Sequence, residues 1–332
     1  MSPVLPYVDQ RQAIGADGRL TSDLWFDRPD ALELVARRRS AGELSEQRAD
    51  QLGHFVENGY LVLDLDLPER ICDEIQQAVD RLWRERRADV AYAYDGPLRP
   101  MDVADEQQER RPPYRISGLE TVCPAALDLF LHPELFAVLR LLFEERAVAT
   151  QSIYFEYGSR QPLHRDPVHV VMDPASHLLA AWIALEDIRP DSGPLTYVPG
   201  SHRHPYFQFE PGIYRYDHYH HTAEDARRMA AFELEQCERL GLKAEPFLPR
   251  RGQALIWHHS LLHGGSPGDH SVTRKSFVVH YTTMRHYQSS RFTLALPEPD
   301  GSRRLHVHES WKILARDGCY GYLSPMRGKR LD

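Results

Sequence analysis

The sequence lacks any run of about 18 uninterrupted apolar residues, the least that a membrane-spanning helix needs, so no transmembrane segment is expected. Its start, Met1-Ser2-Pro3-Val4-Leu5-Pro6, has neither the basic opening nor the apolar stretch of a secretory leader. Positive charge is not in excess: the formal net charge is −8 and the pI about 6.1, which argues against a nucleic-acid surface as the main partner. Cysteine is scarce. Cys72, Cys123, Cys237 and Cys319 lie far apart with no paired spacing, which points to reduced, mostly buried thiols and not to a disulfide framework. No internal repeat is visible. These absences leave a cytoplasmic enzyme as the expectation, and 332 residues at 42% hydrophobic content suffice for a large core.

What is present is concentrated in a few short segments. Pro162-Leu163-His164-Arg165-Asp166 places a histidine and a carboxylate two residues apart, and Leu262-His263-Gly264-Gly265-Ser266 supplies a second histidine much later. Two imidazoles and one carboxylate can occupy one face of an octahedral Fe(II) and leave the opposite face open for a co-substrate and O2. Arg274 follows His263 by eleven residues, and its planar fork suits the far carboxylate of a 2-oxo acid. The surrounding segments read as strands: Gln151–Tyr157, Leu178–Leu185, Leu195–Val198, Gly252–His259, and the run from Arg274 to Tyr281. Asp191-Ser192-Gly193-Pro194 is a turn between two of them.

The order His-x-Asp, Trp-x-Ala-Leu-Glu-Asp, Ser-Gly-Pro-Leu-x-Tyr-Val-Pro-Gly-Ser-His, Gly-x-x-Leu-x-Trp-His, His-Gly and Arg-x-Ser resembles the phytanoyl-CoA dioxygenase family of Fe(II)/2-oxoglutarate oxygenases over roughly residues 45 to 285. The resemblance implies a mainly β fold with flanking helices, a double-stranded β-helix or jelly roll of the cupin type. It implies His164, Asp166 and His263 as iron ligands, with Fe(II) as metal and 2-oxoglutarate and O2 as co-substrates. Arg274 and Ser276 would hold the 2-oxoglutarate C5 carboxylate, with Trp182 and Gln151 beside the co-substrate. The chain departs from the family's His-Gly-Ser by one glycine, so Ser266 is given no role. Hydroxylation of a small molecule or specialised metabolite is the expected outcome. A metal-dependent isomerase or epimerase and a non-catalytic ligand-binding jelly roll are the two alternatives, and oligomeric state stays open. An intact Asp166 predicts delivery of oxygen and not halide, because chloride would need the position that the carboxylate fills.

The rest of the chain reads as additions to one oxygenase domain. Residues 1–44 form an N-terminal extension, of which 1–40 have weak order of their own, and residues 286–332 a C-terminal one. Ser45 to Asn58 is a helix stopped by Gly59, Tyr60–Leu65 a strand, and Pro68 opens a helix carrying Ile71, Ile75, Val79 and Leu82. Residues 91–117 read as a long loop, and Pro133–Phe143 as an amphipathic helix. Residues 203–250 interrupt the strand pattern with aromatic residues and a helix from the capping pair Thr222 and Asp225 to Gly241. They read as an insertion at the barrel mouth that encloses substrate. Arg165, Arg203 and Tyr214 are the candidate substrate contacts, with Arg160 and Arg215 also near that mouth. His218, His220 and His221 read as a stacked or solvated cluster and His306 and His308 as surface groups. His202 fixes a turn, and of His258 and His259 one faces outward and one packs.

Overall fold

A computed structural model describes residues 13–323 apart from 88–89, 95–98, 171, 218–219, 270, 290–293, 298–302 and 307–311. His218, Tyr219 and His308 therefore lie outside the described residues. In chain order the helices are α1 (Ala31–Ser40), α2 (Glu46–Asn58), α3 (Glu69–Glu85), α4 (Glu106–Glu109), α5 (Pro124–Phe130), α6 (Pro133–Phe143), α7 (Asp166–His169), α8 (Ala223–Leu240) and α9 (Met284–Ser289). The strands are β1 (Tyr60–Asp64), β2 (Ala91–Ala93), β3 (Arg99–Pro100), β4 (Arg115–Ser117), β5 (Ala147–Phe155), β6 (Leu179–Ala184), β7 (Leu195–Tyr197) and β8 (Glu245–Phe247). They continue with β9 (Gln253–Trp257), β10 (His263–Gly265), β11 (Ser276–Thr283), β12 (Leu294–Pro297), β13 (Arg303–His306), β14 (Lys312–Arg316) and β15 (Cys319–Leu323).

The larger sheet runs β1-β9-β6-β11-β5-β4-β2-β3 and the smaller β10-β7-β8, the two faces of a jelly roll. Strand alternation assigns the faces. Phe277, Val279 and Tyr281 of β11 join the core under α1, α2, α3, α5 and α6, whereas Val278 joins a second cluster between the sheets with Trp182, Leu255, Trp257, Tyr197 and Phe247. The site lies in that second space.

Local chemistry explains the helix ends. The Ser45 side chain accepts the Arg48 amide and Gly59 closes α2 at φ 79, a conformation that a residue with a Cβ adopts only at a cost. Thr222 and Asp225 cap α8 reciprocally, as their spacing predicts. The four cysteines are free thiols.

Three expectations are corrected. Residues 24–35 are not weakly ordered: Leu24, Trp25, Phe26, Ala31 and Val35 are buried in the main core, and the Trp25 indole donates to the Leu141 carbonyl at 3.0 Å. Residues 91–117 are not one loop but carry β2, β3 and β4, which extend the larger sheet from β5; strands of two or three residues show no readable periodicity. Residues 203–250 include β8, whose Phe247 packs on Trp182 and Tyr197 at 5.8 and 6.3 Å, so their last part belongs to the smaller sheet. Within residues 286–332, β14 and β15 pair, and β15 meets β5 at Gly321 and Ala149.

If the N-terminal segment is core, Trp25→Ala removes a large buried side chain and leaves a carbonyl without its donor. Loss of about 3–5 kcal/mol in urea unfolding is expected. A loss below about 1 kcal/mol would show that the segment is a dispensable extension.

Candidate metal centre

Backbone pairing brings the two distant histidines together. His164 N donates to His263 O at 2.9 Å and His263 N to His164 O at 3.0 Å, an isolated antiparallel bridge at the start of β10. The loop bearing His164 crosses β10 so closely that a Cβ on Gly264 would lie 2.6 Å from Gln161 O, and one on Gly265 2.8 Å from Arg160 N. Both glycines after His263 are therefore required, the extra one included. Asp166 opens α7, with Pro167 next, which suits a first helical turn.

The ring tautomers follow from the hydrogen bonds. His164 Nδ1 lies 2.9 Å from Pro162 O and His263 Nδ1 3.0 Å from Leu261 O. A carbonyl only accepts, so each Nδ1 carries the proton and each Nε2 keeps a free lone pair. Asp166 Oδ2 accepts the Trp257 indole at 2.7 Å, which leaves Oδ1 3.5 Å from His263 Nε2. One donor atom from each of His164, Asp166 and His263 falls within 4.8 Å of the others. Burial pushes the His164 imidazole down to about 3. At Asp166 burial raises the carboxyl, but the positive charge that the His263 and His280 rings bring when protonated outweighs it and holds the group well below the carboxylate range; a metal ion would take the place of that charge. Two imidazole nitrogens and an ionised carboxylate, without thiolate, suit a divalent iron.

His280 was not singled out by its sequence position. Its Nε2 lies 3.6 Å from Asp166 Oδ1 and its Nδ1 3.1 Å from Gln151 Nε2. The arginine's strand, β11, could have pointed to it, because Ser276, Val278 and His280 share one face at every second position. Trp257 was likewise missed as the Asp166 partner.

The opposite end of the space holds Arg274 and Ser276. Strand register arranges inward side chains in three layers: Phe155, Ser276 and Ala184; Ile153, Val278, Trp182 and Leu255; and Gln151, His280, Ala180 and Trp257. Polar groups thus stand at both ends of an apolar belt. Arg274 is 2% exposed, with its guanidinium 5.4 Å from the Phe155 ring and 5.5 Å from the Trp182 ring. No carboxylate pairs with it among the described residues, and burial alone pushes its pKa down to about 10. Arg274 Nε, Ser276 Oγ and Trp182 Nε1 are buried without hydrogen-bond partners. Nη1 reaches Gly193 O at 3.5 Å, but a buried guanidinium without a counter-charge is costly unless an anion joins it. The arrangement fits a dicarboxylate with an aliphatic middle, such as 2-oxoglutarate.

The candidate substrate contacts are committed elsewhere. Arg165 is fully buried and pairs with Glu233 at 3.0 Å, Arg203 donates to Val56 O at 2.7 Å, and Tyr214 is buried against Tyr206 with ring centroids 5.5 Å apart. None of these three meets the His164, Asp166 and His263 donors. Arg160 donates to Gly268 O and Arg215 to Met172 O. Ser266 hydrogen-bonds Thr196 through their hydroxyls.

The other histidines resolve by partner. His221 stacks on Phe209 at 4.0 Å and His220 meets Asp217 at 2.7 Å, so a carboxylate does stand beside this pair. His258 and His259 are both buried, which corrects the expectation that one faces outward. Asp27, His258 and His259 also bring donor atoms together. His258 Nδ1 accepts the Ser260 amide at 3.0 Å, however, so its proton sits on Nε2, facing Asp27 Oδ1 at 2.8 Å. That ring has no lone pair to give a metal there. His202 is buried beside His258 and meets Val56 O at 3.3 Å.

With fold and geometry in hand, comparison with known proteins defines the class. Residues 55–276 match the family described as Phytanoyl-CoA dioxygenase (PhyH), and the chain belongs to it. Peroxisomal phytanoyl-CoA dioxygenase of Homo sapiens is 20% identical over 250 residues, covering 70% of this chain and 68% of that protein. The Bos taurus enzyme of the same name is 24% identical over 251 residues, with 70% and 67% covered. Among solved structures, the non-heme alpha-ketoglutarate-dependent carbocyclase SnoK of nogalamycin biosynthesis superposes with a TM-score of 0.53 at 19% identity, covering 73% of this chain and 86% of that one. The epimerase SnoN from the same biosynthesis gives 0.50 at 16% identity, with 90% and 100% covered. These two show the shared jelly-roll fold. The protein is an Fe(II)- and 2-oxoglutarate-dependent oxygenase of the phytanoyl-CoA dioxygenase family, and no helix among the described residues is long and apolar enough to cross a membrane.

The buried histidines make the fold sensitive to acid. Burial lowers His202 to about 2 and His258 to about 3, and carries His259 well below its ordinary value. An imidazole whose pKa falls on folding takes up its proton first in the unfolded chain. Stability is then full above about pH 6.5 and falls below it, by up to about 1.4 kcal/mol per pH unit for each group. The thermal midpoint should be level above about pH 7 and drop steeply from about pH 6 to 5. An unchanged midpoint across that interval would contradict it.

Proposed function

We propose that His164, Asp166 and His263 hold one Fe(II), and that Arg274 and Ser276 hold the far carboxylate of 2-oxoglutarate. We propose further that the enzyme hydroxylates a small molecule or specialised metabolite. The observation that carries this reading is the pairing of two ends: a carboxylate with two lone-pair nitrogens at one, and an uncompensated buried guanidinium with unpartnered donors at the other. Held there, iron would activate O2 as the oxidant: 2-oxoglutarate would take one oxygen atom as it is cleaved to succinate and CO2, and the other would go to a substrate C–H bond. The chain's own part is to fix each Nε2 by its Nδ1 hydrogen bond, turn Asp166 Oδ1 inward through Trp257, anchor the co-substrate and exclude water.

A metal-dependent isomerase or epimerase that uses no 2-oxo acid would have no need of Arg274 and Ser276, and a silent ligand-binding barrel would be expected to lose a metal ligand, whereas His164, Asp166 and His263 are all present; both observations favour the oxygenase. Asp166 fills the coordination position that halide would need, so oxygen is the atom delivered. Part of residues 203–250 encloses the substrate in this reading. Support comes from Tyr216, whose amide donates to Val168 O at 3.1 Å and whose ring stands 6.2 Å from His169, itself 5.6 Å from His164.

Arg274→Ala should weaken 2-oxoglutarate binding by about 2–5 kcal/mol while metal binding stays near that of the parent protein. Isothermal titration with the co-substrate checks this, and unchanged affinity would place the carboxylate anchor elsewhere. In a screen of small molecules for stimulated succinate release, His164→Ala and His263→Ala should release none above background. With a substrate in hand, mass spectrometry in abundant chloride should show a gain of one oxygen; a chlorinated product would refute the role given to Asp166.

A further inference from the structure

Between the two candidate ligands His164 and Asp166 stands a residue whose side chain leaves the metal centre altogether. Arg165 has no exposed surface. Its Nη2 lies 3.0 Å from Glu233 Oε2 on α8, and Glu233 is itself 4% exposed. Nη1 donates to His204 O at 3.2 Å and Nη2 to Pro205 O at 3.2 Å, while the guanidinium sits 4.3 Å from the Tyr206 ring centroid. Every one of these partners belongs to residues 203–250. A second tie runs beside it, from the Tyr216 amide to Val168 O of α7.

We infer that Arg165 is a positioning residue: its fork into Glu233 and the 204–206 turn sets the peptide from which His164 and Asp166 both project, and so couples metal affinity to the seating of α8. This rests on the reading of His164, Asp166 and His263 as the iron ligands. The physical case is one of lever arms. One backbone bridge, to His263, holds His164 on its far side. On the near side, rotation of the Arg165 peptide would swing both donors at once; the Val168 amide on Arg165 O at 3.1 Å and the Trp257 indole on Asp166 oppose it from the site's side, and the buried fork opposes it from the side of α8. A planar fork fixes direction as well as charge, which a point cation would not. The segment 203–250 is therefore not separable from the metal centre, and deleting it would disturb the ligands along with the substrate enclosure.

The test uses the full-length protein and Mn(II) alone as probe, with free Mn(II) followed by its electron paramagnetic resonance signal. Glu233→Gln keeps the shape of the side chain and removes its charge. The double variant Arg165→Gln, Glu233→Gln removes both buried charges and so avoids leaving one unpaired, which keeps a folded protein available for measurement. In whichever of these is folded by circular dichroism, Mn(II) affinity should fall about 10- to 100-fold, the range typical when the partners of metal ligands are altered. Parent-like Mn(II) affinity in a folded variant would overturn the inference and leave Arg165 as packing for the insertion. Failure of the underlying ligand assignment looks different: the unmodified protein would bind no Mn(II), or His263→Ala would bind it as tightly as the parent.

Discussion

The reciprocal backbone bridge between His164 and His263 is the constraint on which the site depends. It ties a loop after β5 to the first residue of β10, ninety-nine positions later in the chain, and so turns two remote histidines into neighbours. The rings are then oriented by carbonyls of their own loops, Pro162 O and Leu261 O, so the donor geometry is set by backbone and not by a network of flexible side chains. The third donor is oriented by an indole from the larger sheet. A centre assembled from both sheets has its geometry only when the jelly roll is closed.

The same closure explains the charge distribution. The space between the sheets is apolar at its waist and polar at its ends, and the two ends carry opposite needs. One has a carboxylate with two lone-pair nitrogens and calls for a cation; the other has a guanidinium without a counter-ion and calls for an anion. Neither is comfortable alone in a buried space, and on the proposed function a metal cation at one end and a carboxylate of the co-substrate at the other would answer both.

Local patterns told most where chemistry is local. Ser45 and Gly59 mark α2, Thr222 and Asp225 start α8, and the His-x-Asp pair with a distant histidine and an arginine eleven residues on gave the candidate centre. What stayed hidden is long-range. Trp257 reaches Asp166 across 91 positions and Arg165 reaches Glu233 across 68, and no spacing rule connects them. Arg165 reads as a candidate substrate contact because its partner lies on a helix whose docking the sequence does not state. The strands within 91–117 are too short to show a period, and the burial of Trp25 and Phe26 arises from packing on α2 and α6.

The most direct measurement is a crystal structure of the protein grown anaerobically with Fe(II) and 2-oxoglutarate. The account predicts one iron per chain, bound through Nε2 of His164, Nε2 of His263 and Oδ1 of Asp166. Oδ2 should stay on the Trp257 indole, with the far carboxylate of 2-oxoglutarate on Arg274. Iron held by Asp27, His258 and His259, or a 2-oxoglutarate that leaves Arg274 unpaired, would contradict it.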